Sequence, residues 1–254
     1  MSGVYVLSET ARRTWSKTLR RPVPLTFSLV QPLFWMLIFG FLFHRFSLSP
    51  AYAGLSYLDF LLPGVAAMTV LFGASQAGIE LVRDLQTGFA QRMSGATSHP
   101  GWMLGGKVAA DVSRLLLQAL AVALLGVLLG ARLRPSISGI VVAILALAAF
   151  GVAYGCLSCW IALRTRAQES MAVFVHVVNM PLLFTSTALV PTRQMPDWLA
   201  GVARWNPLTR VADALRDAVL FGRAPDAALL LPLIVLAALC FAAARHAMAR
   251  AAQD

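Results

Sequence analysis

The stretch "GWMLGGKV", Gly101 to Val108, is where residue types and spacing first suggest chemistry. A glycine, four residues and then Gly106-Lys107 reproduce most of a phosphate-binding loop. In such a loop the lysine is followed by Ser or Thr, whose hydroxyl ligates magnesium, and the loop joins a buried strand to a helix. Here Val108 follows, and the upstream "QRMSGATSHP" is polar and interrupted by Gly95 and Pro100. The stretch therefore reads as a glycine-rich turn entering an apolar helix, with Lys107 at lipid headgroups. Cys156 and Cys159 spell C-x-x-C, but they lie inside an apolar run with no second ligand pair, so they read as packing residues and no metal site is expected. His176 and Asn179, spaced i,i+3 in another apolar run, could contact a substrate or hydrogen-bond between helices. There is no H-E-x-x-H, no G-x-S-x-G and no pair of carboxylates within an apolar run, which argues against a membrane-embedded enzyme and against proton or sodium coupling.

The elements that carry these residues follow from composition. Of 254 residues 59% are hydrophobic and only 13% charged, with a mean hydropathy of +0.73, which is the balance of an integral membrane protein. Six uncharged runs are long enough, or nearly so, to cross a bilayer as helices: about 22–43, 60–79, 108–131, 137–163, 170–192 and 227–244. The third reaches its length if Asp111 and Arg114 pair on one helix face near the interface. The expected fold is thus all-α, with six transmembrane helices. The net charge of +10 suggests nucleic acid only superficially, because the basic residues flank apolar runs instead of forming a soluble face. Arg12, Arg13, Lys17, Arg20 and Arg21 precede the first run, which places the N-terminus in the cytoplasm, and six crossings return Arg245 and Arg250 to that side. The expected location is the cell (inner or plasma) membrane, multi-pass. "AYAG" at Ala51–Gly54 resembles a cleavage site, but the basic region and apolar run before it are long for a cleaved signal, so the first run reads as retained.

Three segments lie outside those runs. Residues 1–21 read as an amphipathic helix, with Val4, Leu7, Ala11, Trp15 and Leu19 at helical spacing and basic residues elsewhere, suited to the membrane interface. Between the second and third runs, Leu81, Val82, Leu85, Phe89 and Met93 form one stripe among Glu80, Arg83, Asp84, Gln86, Gln91 and Arg92. This reads as a short amphipathic cytoplasmic helix whose stripe needs lipid or a partner to cover it. Before the last run, Asn206 can cap a helix, Pro207 suits its first turn and Gly222 its stop, giving Pro207–Phe221. Pro196-Asp197 begins a shorter helix, and Trp198 and Trp205 suit an interface.

These loops resemble those of the permease subunit of ABC-2 type exporters, the group that includes daunorubicin-resistance-type drug exporters. One family pattern runs from a Glu through Gly and Arg to a small-residue turn and Gly-Lys. It is matched by Glu80, Gly88, Arg92, Ser94-Gly95-Ala96 and Gly106-Lys107, with Ala96-Thr97-Ser98 where Pro is often found. The second is matched by Pro191, Met195-Pro196, Trp198-Leu199, Asn206-Pro207 and Arg216. The resemblance implies a six-span domain over 22–254 behind an elbow helix over 1–21. It implies a cytoplasmic coupling helix that meets an ATPase through Glu80, Arg83, Leu85, Gly88, Phe89 and Arg92. It also implies re-entrant-like extracellular helices forming a gate with Pro196, Trp198, Asn206, Pro207 and Arg216. No cofactor is expected on this chain. ATP and magnesium would be used by a separate ATPase, present in two copies, beside a second permease copy or paralogue and membrane lipid, without nucleic acid. The cargo would be lipophilic or amphipathic, with export of a lipid-linked glycan as the alternative. Phe34, Trp35, His176 and Asn179 are the candidate substrate-path residues.

Because Lys107 lacks a following hydroxyl and a preceding strand, the purified chain alone should show no saturable ATP binding by equilibrium dialysis. Saturable binding that disappears in Lys107→Ala would refute this reading.

Overall fold

A computed structural model of the chain describes residues 3–19, 22–44, 52, 54–87, 100–223 and 227–251. Among these the structure is all-helical: α1 (Gly3–Leu19), α2 (Pro22–Leu42), α3 (Tyr57–Gln86), α4 (Pro100–Leu128), α5 (Ile137–Thr165), α6 (Gln168–Phe184), α7 (Asp197–Trp205), α8 (Pro207–Val219) and α9 (Ala227–Ala251). A single 3-10 turn, Thr192–Gln194, precedes α7. Four helical stretches, Tyr57–Gln86, Gly101–Leu128, Ile137–Thr165 and Ala228–Arg250, are long and apolar enough to cross a membrane, and α2 contributes the shorter apolar stretch Val30–Leu42.

The centre of the bundle is α3, which is surrounded by α2, α4, α5, α6 and α8. Its start is specified locally. Ser56 accepts from Asp59 N at 3.2 Å while Asp59 accepts from Ser56 N at 2.7 Å, a reciprocal cap that satisfies two donors of the first turn. The other Asp59 oxygen accepts from Arg132 N at 2.6 Å, tying this end of α3 to the link between α4 and α5. At the start of α5, Ser136 accepts from Gly139 N at 3.0 Å. Between apolar helices in lipid the hydrophobic effect gives little selectivity, so contact depends on close packing and interhelical hydrogen bonds. Ser158 of α5 supplies one such contact, donating to Ser75 O at 2.7 Å and accepting from Gly78 N at 3.1 Å.

Four sequence expectations are corrected here. "GWMLGGKV" is not a turn but the opening turns of α4, which starts at Pro100. Residues Glu80–Gln86 are not a separate helix but the last two turns of α3, with Leu81 and Val82 in the core. The helix of the fifth run stops at Phe184, well before 192. There Thr185 donates to Pro181 O at 2.8 Å and Ser186 to Leu183 O at 2.7 Å, so side chains occupy carbonyls at the helix end and offer the backbone another path. Finally, α8 stops at Val219, and Gly222, at φ +60, follows it.

The N-terminal helix α1 lies along the start of α4, burying Val6 and Thr10, with Trp15 donating to Ser113 Oγ at 2.9 Å. The crossing depends on Gly106, against which the Leu7 carbonyl rests where a Cβ would be. Gly106→Val should therefore lift α1 from α4 at an overpacking cost of about 1–3 kcal/mol. Tryptic cleavage at Arg12-Arg13 in detergent should accelerate by roughly one to two orders of magnitude, because it follows the open population. An unchanged cleavage rate would mean that α1 is not held at this crossing.

Candidate functional site

Beyond Phe184 the chain runs through residues 185–190 without regular structure, yet Ser186, Thr187, Ala188 and Leu189 are buried. Each carbonyl there needs a donor, since burying an unpaired one costs about 1–3 kcal/mol. Arg216 of α8 meets much of that need. Arg216 is 1% exposed, and all five N–H groups of its guanidinium are used. Nε donates to Phe60 O at 3.3 Å, Nη1 to Thr187 Oγ1 at 3.2 Å and Asp213 Oδ1 at 2.8 Å, and Nη2 to Thr187 O at 2.7 Å and Ala188 O at 3.3 Å. The group also lies over the Phe60 ring, 3.8 Å from its centroid, which favours a cation in a dry site. Asp213 accepts in addition from Thr187 Oγ1 at 3.0 Å.

Two further donors complete the arrangement. Tyr57 OH donates to Leu189 O at 2.8 Å. Asn206 acts at both ends of its amide: Oδ1 accepts from Leu208 N at 2.8 Å and so caps α8, while Nδ2 donates to Leu182 O at 2.7 Å and Thr185 Oγ1 at 3.0 Å. The non-helical segment lies directly on α3, with the Ala188 carbonyl against Gly64 where a side chain would collide. At the far end of α8 burial pushes the Asp217 carboxyl up, and Arg223 opposes it. A raised carboxyl favours the folded state below its ordinary titration and loses that contribution as pH rises through the shifted value. Burial likewise pushes up the Tyr52 hydroxyl, against the pull of Arg216.

A second polar cluster occupies the opposite end of α3. Lys107 of α4 reaches Asp111 at 2.9 Å and Glu80 at 3.4 Å, and Arg114 lies 3.7 Å from the other oxygen of Asp111. Lys107, Asp111, Arg114 and Gln118 follow one face of α4 and all are buried, so Lys107 does not sit at an exposed headgroup position. Arg13 of α1 approaches Asp84 at 3.8 Å, and Gln168 of α6 donates to Gln86 at 2.6 Å. The end of α3 is thereby joined to α1, α4 and α6 together. Arg83 is exposed and Leu85 half-buried on the same two turns. Gly88, Phe89 and Arg92, and the turn Ser94-Gly95-Ala96, lie outside the described residues.

The candidate substrate-path residues separate. Phe34 is 60% exposed on α2, and Trp35 is half-buried, packing on Phe39 and edge-on to Phe184 at 6.5 Å. Asn179 is fully buried, accepting from Tyr154 OH at 2.5 Å and donating to Ser75 Oγ at 2.8 Å. His176 is exposed, so the pair does not share surroundings despite its i,i+3 spacing. Of the candidate gate residues, Asn206, Pro207 and Arg216 gather at the 182–189 segment, whereas Pro196 and Trp198 stand exposed at the start of α7. Cys156 and Cys159 are buried free thiols, and among the described residues no three His, Cys, Asp or Glu are placed to hold a metal. Sequence reasoning missed Tyr57, Gly64, Thr187 and Asp213, whereas the Asp111–Arg114 pairing it named is present. The Thr-Ser-Thr run before Pro191 was the available signal, since consecutive hydroxyls in an apolar run compete with helix.

Comparison with known proteins shows which family this arrangement of apolar helices belongs to. Residues 6–220 match the family model for the ABC-2 type transporter. The chain belongs to the ABC-2 type transporter family. It is 30% identical over 206 residues to a transport permease, ycf38, of Cyanophora paradoxa, covering 81% of this chain and 71% of that one. It is also 30% identical over 201 residues to the daunorubicin resistance ABC transporter permease protein DrrB1 of Streptomyces coeruleorubidus, covering 77% and 68%. This ABC-2 chain is a multi-pass membrane permease and not an enzyme.

Arg216→Ala should leave Thr187 O, Ala188 O and Asp213 without their shared donor and cost about 3–5 kcal/mol, the usual effect of breaking a buried charge pair. The apparent Tm of the purified chain in detergent should fall accordingly, and Arg216→Lys, which keeps charge without the planar fork, should fall by less. A Tm for Arg216→Ala within error of the wild type would show that the segment is satisfied by other means.

Proposed function

We propose that this ABC-2 permease is the membrane-spanning subunit of an ATP-driven exporter that moves a lipophilic or amphipathic compound, drug-like or lipid-like, out of the cytoplasm. The observation that carries the reading is the unbroken course of α3 between two polar staples. Its Gln86 end is joined to α1, α4 and α6, and its Phe60 end to Arg216. A rigid helix tied at both ends transmits a displacement applied at one of them to the other, which is what coupling of hydrolysis to a gate requires. Apolar helices with few charges suit an apolar cargo, and DrrB1 is named for daunorubicin resistance.

In this reading α2, α3, α4, α5, α6 and α9 each cross the membrane once, with both termini in the cytoplasm. The 17 residues of α6 rise only about 25 Å, and the segment 185–190 completes the crossing. A separate ATPase, in two copies, hydrolyses ATP with magnesium, and a second permease copy or paralogue completes the transmembrane assembly. Glu80, Arg83, Leu85, Gly88, Phe89 and Arg92 form the coupling surface. On the opposite side α7 and α8 close the mouth, with Pro196, Trp198, Asn206, Pro207 and Arg216 as gate residues.

The test is co-purification with the ATPase. Replacing Leu85 and Phe89 together by Asp puts charge into a desolvated contact and should weaken assembly by several kcal/mol, so that ATPase recovery collapses while the permease remains in the membrane. Arg83→Glu, at an exposed position on the same turns, should change recovery by the factor of about five or less that an exposed charge pair allows. Undiminished recovery with the double variant would remove this segment as the docking element.

A further inference from the structure

We propose that the uncovered face of α6 lines the transport conduit and that Nε2 of His176 is its substrate-contacting hydrogen-bond acceptor, selecting an apolar compound that carries an ammonium or hydroxyl donor. The proposal deepens the export reading and rests on it. Helix α6 packs through Met171, Phe174, Val175, Asn179 and Leu183, and leaves Val173, His176, Val177 and Phe184 exposed among the described residues. His176 is the ninth of its 17 residues, about 12 Å from either end at 1.5 Å per residue. An imidazole is too short to reach a headgroup from there, and an ionisable side chain at that depth belongs on a polar path or against another protein surface, not against hydrocarbon. Lipid is therefore the wrong neighbour for this face.

The hydrogen bond that His176 makes defines what it offers. Its Nδ1 lies 2.9 Å from the Ala172 carbonyl oxygen. A carbonyl only accepts, so Nδ1 carries the proton of the neutral ring and Nε2 is left with its lone pair, turned away from the helix. The other amide of this stretch is not available, because both ends of Asn179 are used by Tyr154 and Ser75. One acceptor among valines complements a molecule with one strong donor on an apolar body. The charges on the elements packed against α6 belong to helix ends: Asp59, Glu80, Arg83 and Asp84 on α3, Arg164 on α5 and Glu169 on α6 itself. At mid-depth Tyr154, Cys156 and Cys159 are buried.

The test uses the full chain in lipid nanodiscs. With its three native cysteines replaced by Ala, His176→Cys should react with a water-soluble maleimide at least about ten times faster than Leu120→Cys on the exposed apolar face of α4. In the native background, rhodamine 6G, an apolar cation with N–H donors, should bind above the empty-disc level. His176→Ala should weaken binding about tenfold, and His176→Gln, which restores an acceptor, should recover it. Equal labelling of the two cysteines overturns the proposal. So does a disulfide between two His176→Cys chains without maleimide labelling, which identifies a dry contact between copies. Absence of dye binding by the wild type, or unchanged binding by His176→Ala, also overturns it. Dye binding needs no ATPase, so failure of ATP-driven export with this binding pattern intact would count against the export reading alone.

Discussion

A buried carbonyl oxygen has no water to turn to, and the structure is organised around one place where the chain accepts that penalty. Helix α6 ends at Phe184, and the following residues stay buried without a helical ladder. Their carbonyls are answered by Tyr57 from α3 and by Arg216 from the last turn of α8, while Asn206 at the start of α8 donates to the Leu182 carbonyl and to Thr185 Oγ1. None of these donors is local to the segment. The break in α6 is therefore stable only when α3 and α8 are already in place, which makes this half of the fold cooperative. Arginine is suited to the central role because its planar fork serves Phe60, Thr187, Ala188 and Asp213 at once without losing charge, which an ammonium cannot match.

The opposite end of α3 uses a different device. There Lys107, Asp111 and Glu80 meet with Arg114 nearby, and Arg13 reaches Asp84. Buried ion pairs are weak evidence for stability, because desolvation offsets much of the attraction, but they penalise any rearrangement that leaves one charge without another. Helices α1, α3 and α4 are thus constrained to move as a group at this end. Between the two ends the Ser75, Tyr154, Asn179 and Ser158 bonds fix α3, α5 and α6 to one another.

How much of this was legible in the sequence depended on whether the cause was local. Apolar run lengths placed the long helices, and Asn206-Pro207 marked the start of α8, because capping is decided by two or three consecutive residues. The end of α6 was not legible from hydropathy, since residues 185–190 are as apolar as a helix and the donors that permit the break lie on α3 and α8. Lys107 was misplaced for a related reason. A lysine at the edge of an apolar run is normally drawn to headgroups, and only the tertiary approach of Glu80, with Asp111 a turn away, makes burial tolerable. The periodicity across Glu80–Gln86 was real but its reading was not, because the stripe continues the buried face of α3 and does not begin a new helix.

The same distinction explains why His176 and Asn179 look alike in sequence and differ in the structure. Both are polar interruptions of an apolar run, and a helical wheel places them within one quadrant. Asn179 falls where α3 and α5 converge and finds a donor and an acceptor there, so it is absorbed into packing. His176 lies one turn back, exposed, and among the described residues bonds to its own helix backbone at Ala172. A polar group whose needs are met inside the bundle holds helices together. One whose remaining nitrogen is turned outward from an apolar wall is free to meet something that arrives, and α6 carries one of each within four residues.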